Sequence, residues 1–185
     1  MEHSKRNYII IGIIATILTI IMISAIFLIF QNRKVTYQTL IASDGSFQVD
    51  FPKHISYQSN QKENNEFVID LYSTKEELFF YATKIAKSRE IDFYQIVNDD
   101  KENYLKEKQH IREDSGVVST TIQNDKAYEY HFIYTDDSYG KDFYCHVVWI
   151  ETDINLYVLN FEVVDKNKDK FQDVFAKIKN SFIEL

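Results

Sequence analysis

One cysteine, one proline and four glycines are all that 185 residues provide of the types that most often cross-link or punctuate a chain. A single thiol closes no intramolecular disulfide, and it cannot furnish a four-cysteine zinc site or an iron–sulfur cluster. So few glycines and prolines leave no room for a Gly-rich phosphate cradle, a Pro-rich linker or a collagen-like repeat. Also missing are HExxH, GxSxG, CxxC, GxGxxG and Walker motifs, and with them local support for metalloprotease, hydrolase, thioredoxin-like or nucleotide-binding chemistry. There is no basic excess either, since the net charge is −7. What the chain has in quantity is aromatic, 14 Phe and 13 Tyr, enough to build a core and to argue against disorder. The length fits one domain with an appendage.

The appendage is residues 8–30, YIIIGIIATILTIIMISAIFLIF, an uncharged run of 23 residues. At ~1.5 Å per residue a helix of this length reaches roughly 34 Å, enough to cross a ~30 Å hydrocarbon layer. A cleaved signal peptide would have a shorter apolar core and a small-x-small site, whereas Ile23 precedes Ser24-Ala25 and apolar residues follow. Lipid attachment would need a cysteine at the end of the run, and the only one is Cys145. The run is therefore expected to be an uncleaved signal anchor. Lys5 and Arg6 precede it and Arg33 and Lys34 follow it, and the short basic tail favours an N-terminus inside. The expected organisation is a cytoplasmic tail (1–7), a single transmembrane helix (8–30), a juxtamembrane linker (31–38) and an extracytoplasmic domain (39–185). Setting aside residues 1–34 removes four basic residues and one acid, leaving 17 basic and 27 acidic, a net charge of −10. Such a domain repels nucleic acid and anionic headgroups.

Within the domain, Thr39 to Phe51 reads as a hairpin about Asp44-Gly45, with Phe47, Val49 and Phe51 on one face. Glu66–Tyr72 and Leu78–Ala86 form a second strand pair. A helix then starts at Asp92, with Gln95 placed for a capping box and Ile91/Ile96 for a hydrophobic staple, and runs to about Lys108. Its apolar residues are Phe93, Ile96, Val97, Tyr104 and Leu105, and Asp99, Asp100, Lys101, Glu102, Lys106 and Glu107 are expected to point largely outward. Four more strands, 117–122, 127–134, 143–150 and 156–163, are joined by connectors too short for parallel crossovers and so form an antiparallel meander. A last helix carries Phe171, Val174, Phe175, Ile178 and Phe182 in one stripe. Strands such as VVWI and LYVLNF are apolar on both faces, so both faces of the sheet need cover. The fold class is α+β, an antiparallel sheet flanked by helices.

The opening SDGSFQVDFP, the paired strands, the helix, a meander containing KAYEYHF and LYVLNFEV, and a closing amphipathic helix ending in KNSF resemble the Mog/PsbP-like family. The resemblance covers residues 39–185 and implies an α/β/α sandwich in a bacterial, membrane-anchored member. At Lys53-His54-Ile55 the chain departs from the aromatic that many members carry after the proline. The family has no shared catalytic motif and its members act by binding, so the resemblance implies a non-catalytic accessory domain and transfers no site residue. An abundance of Ile, Lys, Asn, Tyr and Phe fits an AT-rich bacterial genome.

Three constellations invite chemistry. Cys145 and His146 are adjacent on a strand and so point to opposite faces, which leaves the thiol structural. His131 and His146 become directly opposed if the hairpin pivots between Ser138 and Tyr139, and could then share a metal or titrate as a pair; an incidental cross-strand pair is the alternative. Asp136 to Asp142 has closely spaced oxygen ligands but lacks the downstream Glu of an EF-hand, and reads as an acidic turn. Tyr128, Tyr130, Phe132 and Tyr134 share the face opposite His131, more like core than a ligand platform, although the Tyr hydroxyls could reach a partner. The candidate binding residues are thus His131, His146, Tyr130 and Tyr134, with no catalytic or metal-ligand set and no cofactor. The expected partner is another cell-envelope protein, with a small-ligand or metal sensor around His131 and His146 as the alternative.

Overall fold

The computed structural model describes residues 19–22, 35–59, 67–87 and 92–185. The chain divides into two compact units, Met1–Val35 and Thr36–Leu185. In the first unit residues 19–22 are helical and exposed; the rest of the apolar run 8–30 lies outside the described residues. Among the described residues no helix is long and apolar enough to cross a membrane.

The second unit opens with β1 (Tyr37–Ile41) and β2 (Phe47–Pro52), paired antiparallel with Ile41 opposite Gln48. The turn between them needs Gly45, whose φ is +70°, and Asp44 fastens it by accepting from the Ser46 amide at 3.1 Å. Phe47, Val49 and Phe51 are fully buried on one face, as their spacing predicts. Then follow β3 (Gln58–Ser59), β4 (Ile69–Ser73), β5 (Leu78–Ala86), α1 (Phe93–Lys106), β6 (Gln109–Arg112), β7 (Val118–Ile122), β8 (Asp125–Asp136), β9 (Lys141–Glu151), β10 (Asn155–Val164), a 3-10 turn at Asp165–Asn167, α2 (Lys168–Asn180) and β11 (Ile183–Glu184).

The meander is present, and β10 closes it against β5, giving the order β3-β4-β5-β10-β9-β8-β6 in one eight-stranded sheet. At 12 residues β8 pairs with β9 on one edge and serves two partners on the other, β7 along its first half and β6 near its end. The first hairpin does not join this sheet. It forms a separate three-stranded sheet, β1-β2-β11. The reason lies in its burial: one face of β2 is buried and the other is not, as befits a covering layer, whereas the central strands are apolar on both faces.

The large sheet is covered on both faces. On one, α1 packs over Phe132, Phe143, Val147 and Trp149. On the other, α2 and the small sheet bury Phe80, Leu159 and Phe161, and a ring stack runs from Phe80 through Phe161 to Phe175 with centroids 4.9 and 4.7 Å apart. Burying each such ring is worth roughly 1.5–3 kcal/mol. Phe171, Val174, Phe175, Ile178 and Phe182 are all buried, Phe182 just beyond the helix end against Phe47 and Tyr157.

Helix α1 corrects the sequence reading in three places. Asp92 caps it, accepting from the Tyr94 amide at 3.0 Å, but Gln95 donates to Asp99 at 2.6 Å rather than closing a box; Ile91 lies outside the described residues. The helix stops at Lys106. Asp100 and Lys101 do not face solvent, because the stripe Phe93, Val97, Asp100, Lys101, Tyr104 at i, i+4, i+7, i+8, i+11 is the one laid against the sheet. Asp100 accepts from Tyr130 and Trp149 at 2.7 and 3.1 Å, and the buried Lys101 reaches Asp114 at 2.6 Å. The strands β3, β6 and β11 are two to four residues long and largely exposed, so no alternation betrayed them.

Candidate functional site

The β8–β9 register brings His131 opposite His146, with imidazole centroids 6.1 Å apart. Both lie on the α2 side of the large sheet. Two residues along β8 on the same face, Glu129 Oε2 meets His146 Nε2 at 2.9 Å and also takes the Lys179 ammonium from the end of α2. Those two partners, His146 first, hold the Glu129 carboxyl down at about 2 despite its partial burial. Burial and the neighbouring His146 push the His131 imidazole below its ordinary range, and its own backbone amide donates to Ser115 Oγ at 2.9 Å. Tyr144, Glu113 and Lys168 complete its surroundings. His146 and the Lys179 ammonium share the one oxygen Oε2 of Glu129, and among the described residues no group of three His, Cys, Asp or Glu side chains is arranged to hold a metal. The arrangement is a proton-sensitive ion pair that fastens the end of α2 to the sheet.

Tyr130 and Tyr134 lie on the other face, beneath α1, and are buried. The four candidate residues are therefore two sets separated by the thickness of the sheet. The hydroxyl of Tyr130 serves Asp100 and that of Tyr134 donates to Glu162 Oε2 at 3.0 Å. Glu162 is the group sequence reasoning missed: it is buried, and its Oε1 accepts from Tyr104 and, at 3.2 Å, from Tyr81. Asn160 donates to Tyr81 at 2.6 Å and accepts from Cys145. An Asn and a Glu at positions 160 and 162 of the otherwise apolar run 156–164 were the available signal. Burial raises the Tyr81, Tyr104, Tyr134 and Cys145 groups above their ordinary values, so these hydroxyls and the thiol keep their protons and the thiol is no nucleophile.

The acidic turn Asp136 to Asp142 is fastened from within and from β6. Asp136 accepts from the Ser138 amide at 2.9 Å, and Asp142 pairs with Arg112 at 2.6 Å. Beside this turn lies a pocket of about 460 Å³, walled by the rings of Tyr72, Phe79, Tyr139 and Phe143 and edged by an ion pair between Glu77 and Lys141.

No protein-family model and no curated protein matches the chain. Among solved structures, LpqN of Mycobacterium tuberculosis, described as involved in cell envelope biogenesis, is 12% identical, with a TM-score of 0.58 over 83% of this chain and 93% of its own. The cyanobacterial PsbP of Synechocystis is 7% identical at a TM-score of 0.58, covering 82% of this chain and 94% of its own. The Ran-binding protein Mog1p of Saccharomyces cerevisiae is 7% identical at 0.56, covering 81% and 96%. The fold is the Mog1/PsbP-like fold. At such identities the likeness concerns the Mog1/PsbP-like backbone alone, and the residues described above carry no assignment from those proteins.

Proposed function

We propose that this chain is a membrane-tethered, extracytoplasmic, non-catalytic binding or accessory domain that engages another cell-envelope protein. The observation that carries the reading is an uncharged run of 23 residues standing directly before a Mog1/PsbP-like domain. That fold is used by LpqN in cell envelope biogenesis and by the Ran-binding Mog1p, which supports protein recognition rather than turnover. The sequestered thiol and the internally paired carboxylates Glu129 and Glu162 suit a rigid surface better than an acid–base device. Protease added to intact cells is expected to remove the 36–185 domain, and gentle crosslinking to recover a membrane or envelope protein with the full chain. A domain left uncut overturns the orientation, and a chain recovered alone overturns the partner.

A second reading, a metal or small-ligand sensor, rests on the opposed His131 and His146 beside Glu129. Titration with zinc followed by imidazole NMR removes it if neither ring signal moves.

A further inference from the structure

The pocket beside the β8–β9 turn is not used by the reading above, and its chemistry is specific. Its wall is assembled from three strands and a hairpin tip. Tyr72 and Phe79 stack across β4 and β5 with centroids 6.5 Å apart, Phe79 meets Phe143 of β9 edge-on at 6.1 Å, and Tyr139 leans on Phe143 at 5.9 Å. Tyr139 remains 60% exposed, so much of its ring is uncovered. Ser73 and Thr74 border one edge. On the polar side Glu77 divides its oxygens between Lys141 and, at 3.3 Å, Lys166. A volume of about 460 Å³ lies within the ~300–1,000 Å³ typical of small-molecule sites.

Each class of ligand can be weighed against this arrangement. An anion would lie beside the Glu77 carboxylate and compete with it for Lys141, and a cation would have to draw Glu77 from two ammonium groups, so neither meets a free counter-charge in the pocket. A wholly apolar body would strip water from the pair without replacing its hydrogen bonds. A neutral polyol ring meets both sides at once. Its C–H face is apolar and lies on aromatic faces, whose quadrupole is negative at the ring centre. Each hydroxyl both donates and accepts, so adjacent hydroxyls can donate to the Glu77 carboxylate and accept from the Lys141 ammonium while the ion pair persists. We propose that the pocket formed by Tyr72, Phe79, Tyr139 and Phe143 with Glu77 and Lys141 binds a neutral saccharide.

The test uses the full-length chain in phosphatidylglycerol nanodiscs, which avoids sugar and choline headgroups. Glucose, N-acetylglucosamine, cellobiose and N,N'-diacetylchitobiose are the probes, with binding read by saturation-transfer NMR and calorimetry and with choline and benzoate as competing classes. At least one saccharide should bind with a millimolar constant. Tyr139→Ala should weaken it about tenfold without moving the Tm, since the ring is exposed and worth an aromatic contact. Glu77→Gln and Lys141→Met should each weaken it as well. The proposal is overturned if no saccharide binds, if binding survives Tyr139→Ala unchanged, or if choline or benzoate binds more tightly than every saccharide.

Discussion

Replacing Glu129 by Gln tests the bridge between α2 and the large sheet through its dependence on pH. In the folded chain the carboxyl is held at about 2, first by His146 and then by Lys179, against an ordinary value of 4.5. Folding therefore favours the ionised form. The stability this contributes is complete above the unfolded value and disappears as pH falls from near 4.5 towards 2. The full linkage would exceed 3 kcal/mol, but the site is only half buried, and solvent screening reduces it to about 1–2 kcal/mol. Trp149, the only tryptophan of the chain, packs in the core beneath α1 and reports unfolding by its fluorescence. Urea unfolding of the full-length chain in nanodiscs should place Glu129→Gln about 1–2 kcal/mol below the parent at pH 7, with an unchanged m-value. The two should converge near pH 2, where the parent has lost the same contribution. A gap that is absent at pH 7, or that persists undiminished at low pH, refutes the reasoning. His131 acts in the same direction: its depressed value means that the fold favours the neutral ring, so its contribution is present above about 6.5 and is also lost on acidification.

Other substitutions probe the two faces of the sheet separately. Glu162→Leu removes the acceptor that Tyr81, Tyr104 and Tyr134 share beneath α1, leaving Tyr81 and Tyr104 only each other, and should cost about 3 kcal/mol in urea unfolding, while Glu162→Gln, which keeps one acceptor oxygen, should cost less. Phe161→Ala opens the ring stack between Phe80 and Phe175 and should lower stability by about 3–5 kcal/mol, read as a fall in Tm of about 10 °C. Cys145, fully buried with its thiol proton retained, should react with a disulfide reagent at the rate of global unfolding; fast labelling of the native chain would contradict its placement.

The hairpin at Asp44-Gly45, the meander, the last helix and the opposition of His131 and His146 were legible in the sequence because each depends on local rules. A turn dipeptide fixes register, and a period of two or 3.6 assigns faces. The inward placement of Asp100 and Lys101 was not legible, since a charged residue reads as solvent-facing unless its partners are known. Those partners, Tyr130, Trp149 and Asp114, come from distant segments. The same holds for Glu162, which is tolerable in the core only because three tyrosines from β5, α1 and β8 converge on it.

By itself the sequence determined a long uncharged run, an acidic domain, the strand and helix periodicities and the opposite faces of Cys145 and His146. These follow from chain length, solvation and the alternation of side chains along a strand. Only the tertiary structure decided that the first hairpin leaves the main sheet to cover it with β11 and that Tyr130 and Tyr134 are sealed beneath a helix. It also decided that an aromatic pocket is built from Tyr72, Phe79, Tyr139 and Phe143. Those outcomes depend on which distant surfaces meet, and burial and pairing across such contacts are set by the whole fold at once.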